Sequence, residues 1–206
     1  KEIVGVEDQI EMISSLVKKL NITLPIVMGA SYGGVIAAEL ARLKKFDILQ
    51  LVLLGAPVKF TKLEDIDRVK EHFSIENVHD LFIPKDTFHF RKLIGGSNGR
   101  RSKIPLFLLK GFHREFYEAT RERKYQLMAN LISLREEYSK HEYKLNMPVE
   151  LIWGDNDPIV LAERGLLLHE HIGLVSNFNV ISNGGHMANL VKTKEFNQIL
   201  TNRLIS

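Results

Sequence analysis

The chain has 206 residues, of which 45% are hydrophobic and 26% are charged, a balance that is typical of a globular protein and excludes a disordered or fibrous chain. Its formal net charge of +3 gives no case for nucleic-acid binding, and the basic cluster GRRSK at 99–103 is expected to be a solvated loop. The absence of cysteine excludes disulfides and thiolate metal sites.

The longest apolar runs, such as 48–58, are too short and too interrupted to span a bilayer, which takes about 20 residues. The sequence therefore predicts no transmembrane segment. No signal peptide is visible either, and together with the lack of cysteine this favours a cytoplasmic location.

The first part of the chain predicts a strand–helix–strand unit. Residues 6–20 form an amphipathic helical pattern with acidic residues in the first turn, and a short apolar run at 24–29 predicts a strand. A segment of helical composition at 31–45 and a second buried strand at 47–57 follow. Apolar strands that alternate with helices indicate a parallel sheet covered on both faces.

The same alternation returns late in the chain. A strand is predicted at 148–154, a helix at 161–172, a strand at 177–185 and a closing helix at 193–205. Between the two halves, from 59 to 146, helical segments with many aromatic residues replace the strand signals. We expect an all-helical insertion between two strands of the sheet.

Polar side chains follow three of the predicted strands. Ser31 comes after the strand at 24–29, Asp155 and Asp157 come after the strand at 148–154, and His186 follows the last strand. Reacting groups gather beyond the carboxyl ends of parallel strands. The order Ser, Asp, His therefore indicates a nucleophile, an acid and a base at one edge of the sheet.

The glycines around Ser31 predict a sharp turn that exposes its hydroxyl. Gly29 and Gly33 flank the serine, and Gly34 allows the following helix to pack closely. In such a turn the backbone N–H of Tyr32 can donate to a developing oxyanion. A phosphate-binding loop is excluded, because the stretch has neither Gly-Lys-Ser/Thr nor G-x-G-x-x-G.

Serine needs a base at neutral pH, and His186 is the candidate, with Gly184 and Gly185 beside it leaving room for the imidazole. Asp157 would orient this imidazole, whereas Asp155 is better explained as a turn former. Taken singly, each residue has an ordinary structural explanation, but together at three strand ends they favour catalysis.

We expect no metal site. His169 and His171 lie two residues apart on a predicted helix and so point to nearly opposite sides, and no H-E-x-x-H motif occurs. The other histidines are expected to be surface or partly buried helical residues.

The motifs GASYGG, LIWGDNDPIV and NGGHMANL, in this order, resemble those of the α/β-hydrolase superfamily. The resemblance implies an α/β-hydrolase fold of class α/β, with a core formed by 1–58 and 147–206 and a helical cap, or lid, at 59–146. It also implies that Ser31, Asp157 and His186 form a catalytic triad without a cofactor.

The segment at 75–94 resembles the cap of serine esterases and monoacylglycerol-lipase-like hydrolases. This resemblance implies cleavage of a carboxylic ester, acyl or lipid-like, through an acyl-enzyme. The candidate acyl contacts are the phenylalanines of the insertion, each of which could instead belong to the core of the cap: Phe82, Phe88, Phe90, Phe107, Phe112 and Phe116.

Other functions remain open at this point. Carbon–carbon bond hydrolysis uses the same three residues, and a ligand receptor or truncated pseudoenzyme could keep the pocket without the reaction. The serine nucleophile argues against haloalkane dehalogenase and epoxide hydrolase chemistry.

The sequence departs from the family before Ser31. Only one helix and one strand precede it, whereas the family has several strands there and a loop that supplies a second oxyanion donor. The strand at 24–29 is almost wholly apolar, as a central strand would be, yet it lacks a neighbour on one side. We expect a segment upstream of Lys1, or a second chain in a homodimer, to complete the sheet.

Overall fold

The computed structural model describes residues 5–59, 63–96 and 104–204, so the basic cluster at 99–103 lies outside the described residues. The strands are β1 (Ile26–Ala30), β2 (Gln50–Leu54), β3 (Val149–Gly154) and β4 (Ser176–Ile181). The helices of the two sheet-forming parts are α1 (Val6–Lys19), α2 (Tyr32–Arg42), α9 (Ala162–Ile172), α10 (Ala188–Val191) and α11 (Thr193–Leu204).

The strands form one parallel sheet in the order β1-β2-β3-β4. α2 connects β1 to β2, and α9 connects β3 to β4, so both connections are helical crossovers. All carboxyl ends consequently lie at one edge of the sheet. The predicted α/β class and parallel sheet are confirmed.

The two inner strands are buried on both faces, which explains why they read as continuous apolar runs. One face packs against α2 and α9, with α1 packed on α2, and the opposite face packs against Phe196 of α11. Alternate side chains of β2 and β3 serve the two faces: Leu51, Leu53, Leu151 and Trp153 on the first, and Val52, Leu54 and Ile152 on the second.

β1 differs from the central strand that its sequence predicts. It pairs with β2 along one side, and its burial alternates, with Ile26 40% and Met28 46% exposed. Among the described residues no second strand pairs with it. The completion of the sheet by an upstream segment or a second chain stays a prediction.

The long connection from β2 to β3 is helical wherever the structure assigns secondary structure to it. It begins with a short 3-10 helix, Pro57–Lys59, and contains α3 (Leu63–Phe73), α4 (Val78–Phe82), α5 (Thr87–Gly96), α6 (Leu106–His113), a π-helical turn (Arg114–Glu118), α7 (Arg121–Ser133) and α8 (Arg135–Lys140). We call this segment the helical insertion. None of the described helices is long and apolar enough to cross a membrane.

Candidate active site

Ser31 occupies the junction between β1 and α2 in a strained backbone conformation. Its φ of 50° and ψ of −122° fall outside the regions that non-glycine residues favour, at a cost of about 1–3 kcal/mol. The Ser31 N–H donates to the carbonyl of Leu54 at 2.8 Å, which anchors the turn to the neighbouring strand. The sharp turn predicted from the glycines is therefore present.

The glycines of this turn allow close approach of backbone to backbone. A Cβ atom on Gly29 would lie 2.3 Å from the carbonyl oxygen of Gly33, and one on Gly34 would lie 2.4 Å from the Cβ of Ala56. Neither position has room for a side chain. As a result, the start of α2 folds tightly against β1 and presents Ser31 at the end of the strand.

The three side chains predicted at the strand ends form one chain of hydrogen bonds. His186 Nδ1 lies 2.8 Å from Asp157 Oδ2, and His186 Nε2 lies 2.9 Å from Ser31 Oγ. Because a carboxylate can only accept, Nδ1 carries the proton of the neutral imidazole, and Nε2 accepts the proton of the Ser31 hydroxyl. In this arrangement a serine can transfer its proton to a base as it attacks an electrophile.

Asp157 is held on both of its oxygens. It is 2% exposed, and its Oδ1 accepts the backbone N–H groups of Ile159 at 2.8 Å and Val160 at 3.0 Å. These bonds leave Oδ2 for His186. Asp155, in contrast, is exposed, as expected of a turn former.

Gly55 is a site residue that sequence reasoning missed. It follows β2 with a φ of +52°, and a Cβ there would lie 3.3 Å from both Asp157 Oδ2 and His186 Nδ1. The backbone of Gly55 thus lies directly against the Asp157–His186 hydrogen bond. Its position straight after a buried strand, at the same edge as Ser31, was the signal that could have found it.

The backbone of Gly184 connects two loops of the site. A Cβ on Gly154 would lie 2.3 Å from the Gly184 carbonyl oxygen, so the loops that carry Asp157 and His186 touch backbone to backbone. The Asn156 N–H donates to the same carbonyl at 2.9 Å. The Gly184 carbonyl therefore joins the two loops, and the room that Gly184 and Gly185 leave for the imidazole stays a prediction.

An apolar pocket lies beside Ser31, between the end of the sheet and the helical insertion. Its lining comes from the serine turn, from the 3-10 helix after β2, from the loop after β3 and from α3, α4, α7 and α8: Ser31, Tyr32, Pro57, Ile66, Val69, Val78, Phe82, Met128, Leu131, Ile132, Arg135, Tyr138, Ile159 and Val160. We call it the Ser31 pocket. A second pocket shares Tyr32, Phe82 and Met128 with it and adds Tyr117 and Lys124.

Tyr32 contributes its side chain to the pocket as well as its backbone to the serine turn. Its hydroxyl accepts a hydrogen bond from Gln9 Nε2 at 2.7 Å, and burial raises its pKa to about 12. The phenol is consequently neutral at ordinary pH. The predicted oxyanion donor is the Tyr32 backbone N–H, which follows Ser31 at the start of α2.

The structure separates the phenylalanines that the sequence grouped as acyl contacts. Phe82 lines the Ser31 pocket. Phe88 is 73% exposed, and Phe107 and Phe112 line a surface groove with Phe116. The structure does not bring Phe88, Phe107 or Phe112 to the pocket: Phe88 of α5 faces outward, and α6 turns a face other than that of Phe107 and Phe112 inward.

The inward face of α6 carries Leu109 and His113, which are buried. Phe90 packs inside the insertion, with its ring 6.3 Å from that of His113 and 5.2 Å from that of Tyr117. Phe90 thus fits the alternative that it belongs to the core of the insertion.

Within the described ranges, no group of three or more His, Asp or Glu side chains could hold a metal ion. His169 Nδ1 pairs with Ser176 Oγ at 2.8 Å, while His171 Nε2 accepts the Tyr143 N–H at 3.2 Å. The two histidines make separate contacts.

Solved structures with this fold cover almost the whole chain. 2-Hydroxy-6-oxo-6-phenylhexa-2,4-dienoate hydrolase from Rhodococcus sp. strain RHA1 is 15% identical with a TM-score of 0.79, and the match covers 100% of this chain and 74% of that one. An esterase from Exiguobacterium antarcticum is 20% identical with a TM-score of 0.72, covering 98% and 75%. Bacillus megaterium epoxide hydrolase is 19% identical with a TM-score of 0.73, covering 98% and 77%.

At these sequence identities the similarity to the solved structures is one of fold. A separate search of curated proteins found no match to the chain. The family model that describes the alpha/beta hydrolase fold matches residues 4–193. That match includes every strand of the sheet together with Ser31, Asp157 and His186. The chain belongs to the α/β-hydrolase family.

Proposed function

We propose that this protein is a serine hydrolase that cleaves a carboxylic ester, acyl or lipid-like, through an acyl-enzyme. The observation that carries the proposal is the hydrogen-bonded chain Asp157–His186–Ser31 beside an apolar pocket. A positioned base of this kind contributes about 10²- to 10⁴-fold in rate. We further propose that residues 59–146 act as the cap that covers the site.

In the first half of the proposed reaction, Ser31 Oγ attacks the ester carbonyl while its proton moves to His186 Nε2. The carbonyl oxygen becomes an oxyanion that the Tyr32 N–H stabilises, a contribution of about 10²- to 10³-fold for one donor. The tetrahedral species collapses, the bond to the alcohol oxygen breaks, and His186 returns the proton to the departing alcohol.

In the second half, water replaces the alcohol. His186 Nε2 takes a proton from the water as its oxygen attacks the acyl carbonyl, and the proton returns to Ser31 Oγ when the carboxylic acid leaves. Asp157 stabilises the imidazolium in both halves and keeps its Nδ1–H oriented. No cofactor takes part in these steps.

The test is covalent labelling of the full chain with a fluorophosphonate probe, followed by turnover of aryl esters of graded chain length. We expect labelling at Ser31 and loss of both labelling and turnover in Ser31→Ala, with unchanged circular dichroism. Ser133→Ala is the control, because Ser133 is exposed and donates to the Asn130 carbonyl instead of to a histidine.

Medium and long acyl chains should be preferred over acetate, since each methylene buried in the Ser31 pocket contributes about 0.8 kcal/mol. Ring-fission dienoates are assayed in parallel to detect carbon–carbon bond hydrolysis. Labelling at another serine would refute the role of Ser31 as the nucleophile. No labelling of a folded protein would refute the proposal and support a non-catalytic ligand receptor.

A further inference from the structure

Arg135 is the one charged residue that lines the Ser31 pocket in the described part of the chain. It lies at the start of α8, two residues after α7 ends, with a side chain that is 17% exposed. Nearly all other lining residues are apolar. An arginine in such surroundings needs a compensating partner, because a buried unpaired charge is costly.

The protein satisfies only part of the guanidinium group of Arg135. Its Nη1 donates to the carbonyl oxygen of Ile132 at 2.7 Å. Its Nη2 lies 3.4 Å from Glu136 Oε1, at the end of a side chain that is 64% exposed, so this ion pair is weak. Its Nε is buried and has no hydrogen-bond partner among the described residues.

The unpartnered Nε and the weakly paired Nη2 lie on the same edge of the guanidinium group. Nε–H and an Nη2–H point the same way and match the two oxygens of a carboxylate, the geometry in which arginine binds carboxylates most strongly. A ligand carboxylate would complete the site.

We propose that Arg135 selects an acidic substrate, an ester that carries a free carboxylate, with its Nε–Nη2 edge while Ser31 attacks the ester carbonyl. This inference rests on the proposed ester hydrolysis at the same pocket. The apolar lining between the two residues accommodates the carbon chain of the substrate. The substrate class is thus a half-ester of a dicarboxylic acid or an ester of a carboxylate-bearing alcohol.

A purely structural role for Arg135 is the competing explanation. The Nη1 bond to the Ile132 carbonyl satisfies a carbonyl at the end of α7, as basic residues at helix ends often do. That role needs neither Nε nor selectivity for an anion. The two explanations therefore differ in their consequences for substrate choice.

The kinetic experiment compares matched acidic and neutral esters. Mono-4-nitrophenyl esters of succinate, glutarate and adipate are paired with 4-nitrophenyl esters of unbranched acids of equal chain length, and 4-carboxyphenyl butyrate is paired with 4-carbamoylphenyl butyrate. The first set places the carboxylate on the acyl side and the second places it on the alcohol side. We expect kcat/KM to favour the acidic member by about tenfold or more in one set.

Arg135→Gln and Arg135→Met should both bring this ratio close to one. The glutamine variant keeps a polar group near the Ile132 carbonyl and so remains usable if the methionine variant folds poorly. Arg123→Gln is the matched control, because Arg123 is an exposed arginine of α7 that lines neither pocket at the site, and its ratio should match that of the wild type. A variant ratio equal to that of the wild type, with only the melting temperature lowered, would overturn the proposal in favour of the structural role.

A binding measurement separates this proposal from the ester hydrolysis itself. Calorimetric titration of Ser31→Ala with hexanoate and with hexanamide requires no turnover. We expect hexanoate to bind about tenfold more tightly, and Arg135→Gln in the same background to remove the difference. Equal affinities for the two ligands in Ser31→Ala would refute the carboxylate site even if esters are hydrolysed. Selective hexanoate binding by Ser31→Ala, together with no ester turnover by the wild-type protein, would refute the proposed hydrolysis instead.

Discussion

Asp157 uses both carboxylate oxygens, and its substitution therefore tests orientation separately from burial. In Asp157→Asn, one amide atom can still accept the N–H groups of Ile159 and Val160, but the other becomes an NH₂ group that faces His186 Nδ1. This NH₂ group favours the tautomer with the proton on Nε2, which cannot accept the proton of Ser31. We expect kcat to fall about 10³- to 10⁴-fold.

The exposed Asp155 supplies the control for this substitution. Asp155→Asn should change kcat within about twofold, as is usual for a surface substitution. Steady-state kinetics of the two variants, with circular dichroism as the check on folding, gives the ranking. The opposite ranking would assign the acid role to Asp155.

Gly55 is the second position where a single side chain should decide activity. An added methyl group would lie 3.3 Å from Asp157 Oδ2 and His186 Nδ1, and the φ of +52° would cost about 1–2 kcal/mol in any L-residue. We expect Gly55→Ala to lower kcat/KM about tenfold or more by displacing the imidazole.

Gly173→Ala is the control, because it also strains the backbone but places its methyl group in open space. Gly173 also has a positive φ, +81°, and nothing lies within 4 Å of a Cβ built there. It should lose stability and keep its kcat/KM. Equal loss of activity in both variants would show that strain alone, rather than contact with His186, is responsible.

Two glycines where β1 packs against α2, Gly29 and Gly33, differ in their tolerance for a side chain. A methyl group on Gly29 would lie 2.3 Å from the Gly33 carbonyl oxygen, whereas one on Gly33 meets nothing within 4 Å. Gly29→Ala should destabilise the protein by at least about 1–3 kcal/mol, and Gly33→Ala should leave it equally stable or up to about 1 kcal/mol more stable. Urea unfolding measures both, and similar losses would contradict the close approach.

The secondary structure that could be predicted from sequence was the part with strong periodicity. The strand predicted at 148–154 is β3 (Val149–Gly154), and the helix predicted at 161–172 is α9 (Ala162–Ile172). The strand predicted at 47–57 shrinks to Gln50–Leu54, because apolar loop residues extend the run. The break at Leu134 between α7 and α8 could not be foreseen, since helical composition continues across it.

The candidate site also has a part that could be predicted from the sequence and a part that could not. Ser31, Asp157 and His186 could be grouped in advance because parallel strands end at one edge of a sheet. The contacts of Phe107 and Arg135 could not be predicted, because they depend on which face each helix of the insertion turns towards the sheet. That choice is made by tertiary packing and leaves no local pattern in the sequence.

The helical insertion is joined to the sheet at its two ends and also contacts the loop after β3 that carries Asp157. Arg68 of α3 donates to the carbonyls of Pro158 at 2.7 Å and Ile159 at 3.0 Å, directly beyond Asp157. Lys59 Nζ donates to the carbonyl of Ser139 at 2.6 Å and so joins the start of the insertion to its end. The insertion therefore helps to position the loop that orients His186.

Glu39 of α2 connects the helix that follows Ser31 to the end of the insertion. It is 1% exposed, and its carboxylate accepts hydrogen bonds from Arg42 Nη2 at 2.7 Å and from the Tyr143 hydroxyl at 2.7 Å, with His141 Nδ1 at 3.0 Å. Burial alone would raise the pKa of Glu39, but these hydrogen bonds more than offset it and lower the pKa below its usual value of 4.5.

A carboxyl group whose pKa is lowered in the folded state stabilises the fold at pH values above its pKa in the unfolded state, here 4.5. This contribution is lost as the pH falls below 4.5 through the pKa of the folded state. Glu39→Gln should lower the free energy of unfolding by about 3 kcal/mol at neutral pH, because it leaves buried donors without a charged acceptor. The same substitution should flatten the decline of this free energy below pH 4.5. Glu11→Gln, which breaks the exposed ion pair with Lys45, should cost less than about 1 kcal/mol. Unfolding free energies from urea titrations between neutral and acidic pH measure these differences. If the free energy of unfolding declines as steeply below pH 4.5 in Glu39→Gln as in the wild type, other carboxylates control the acid stability of the protein.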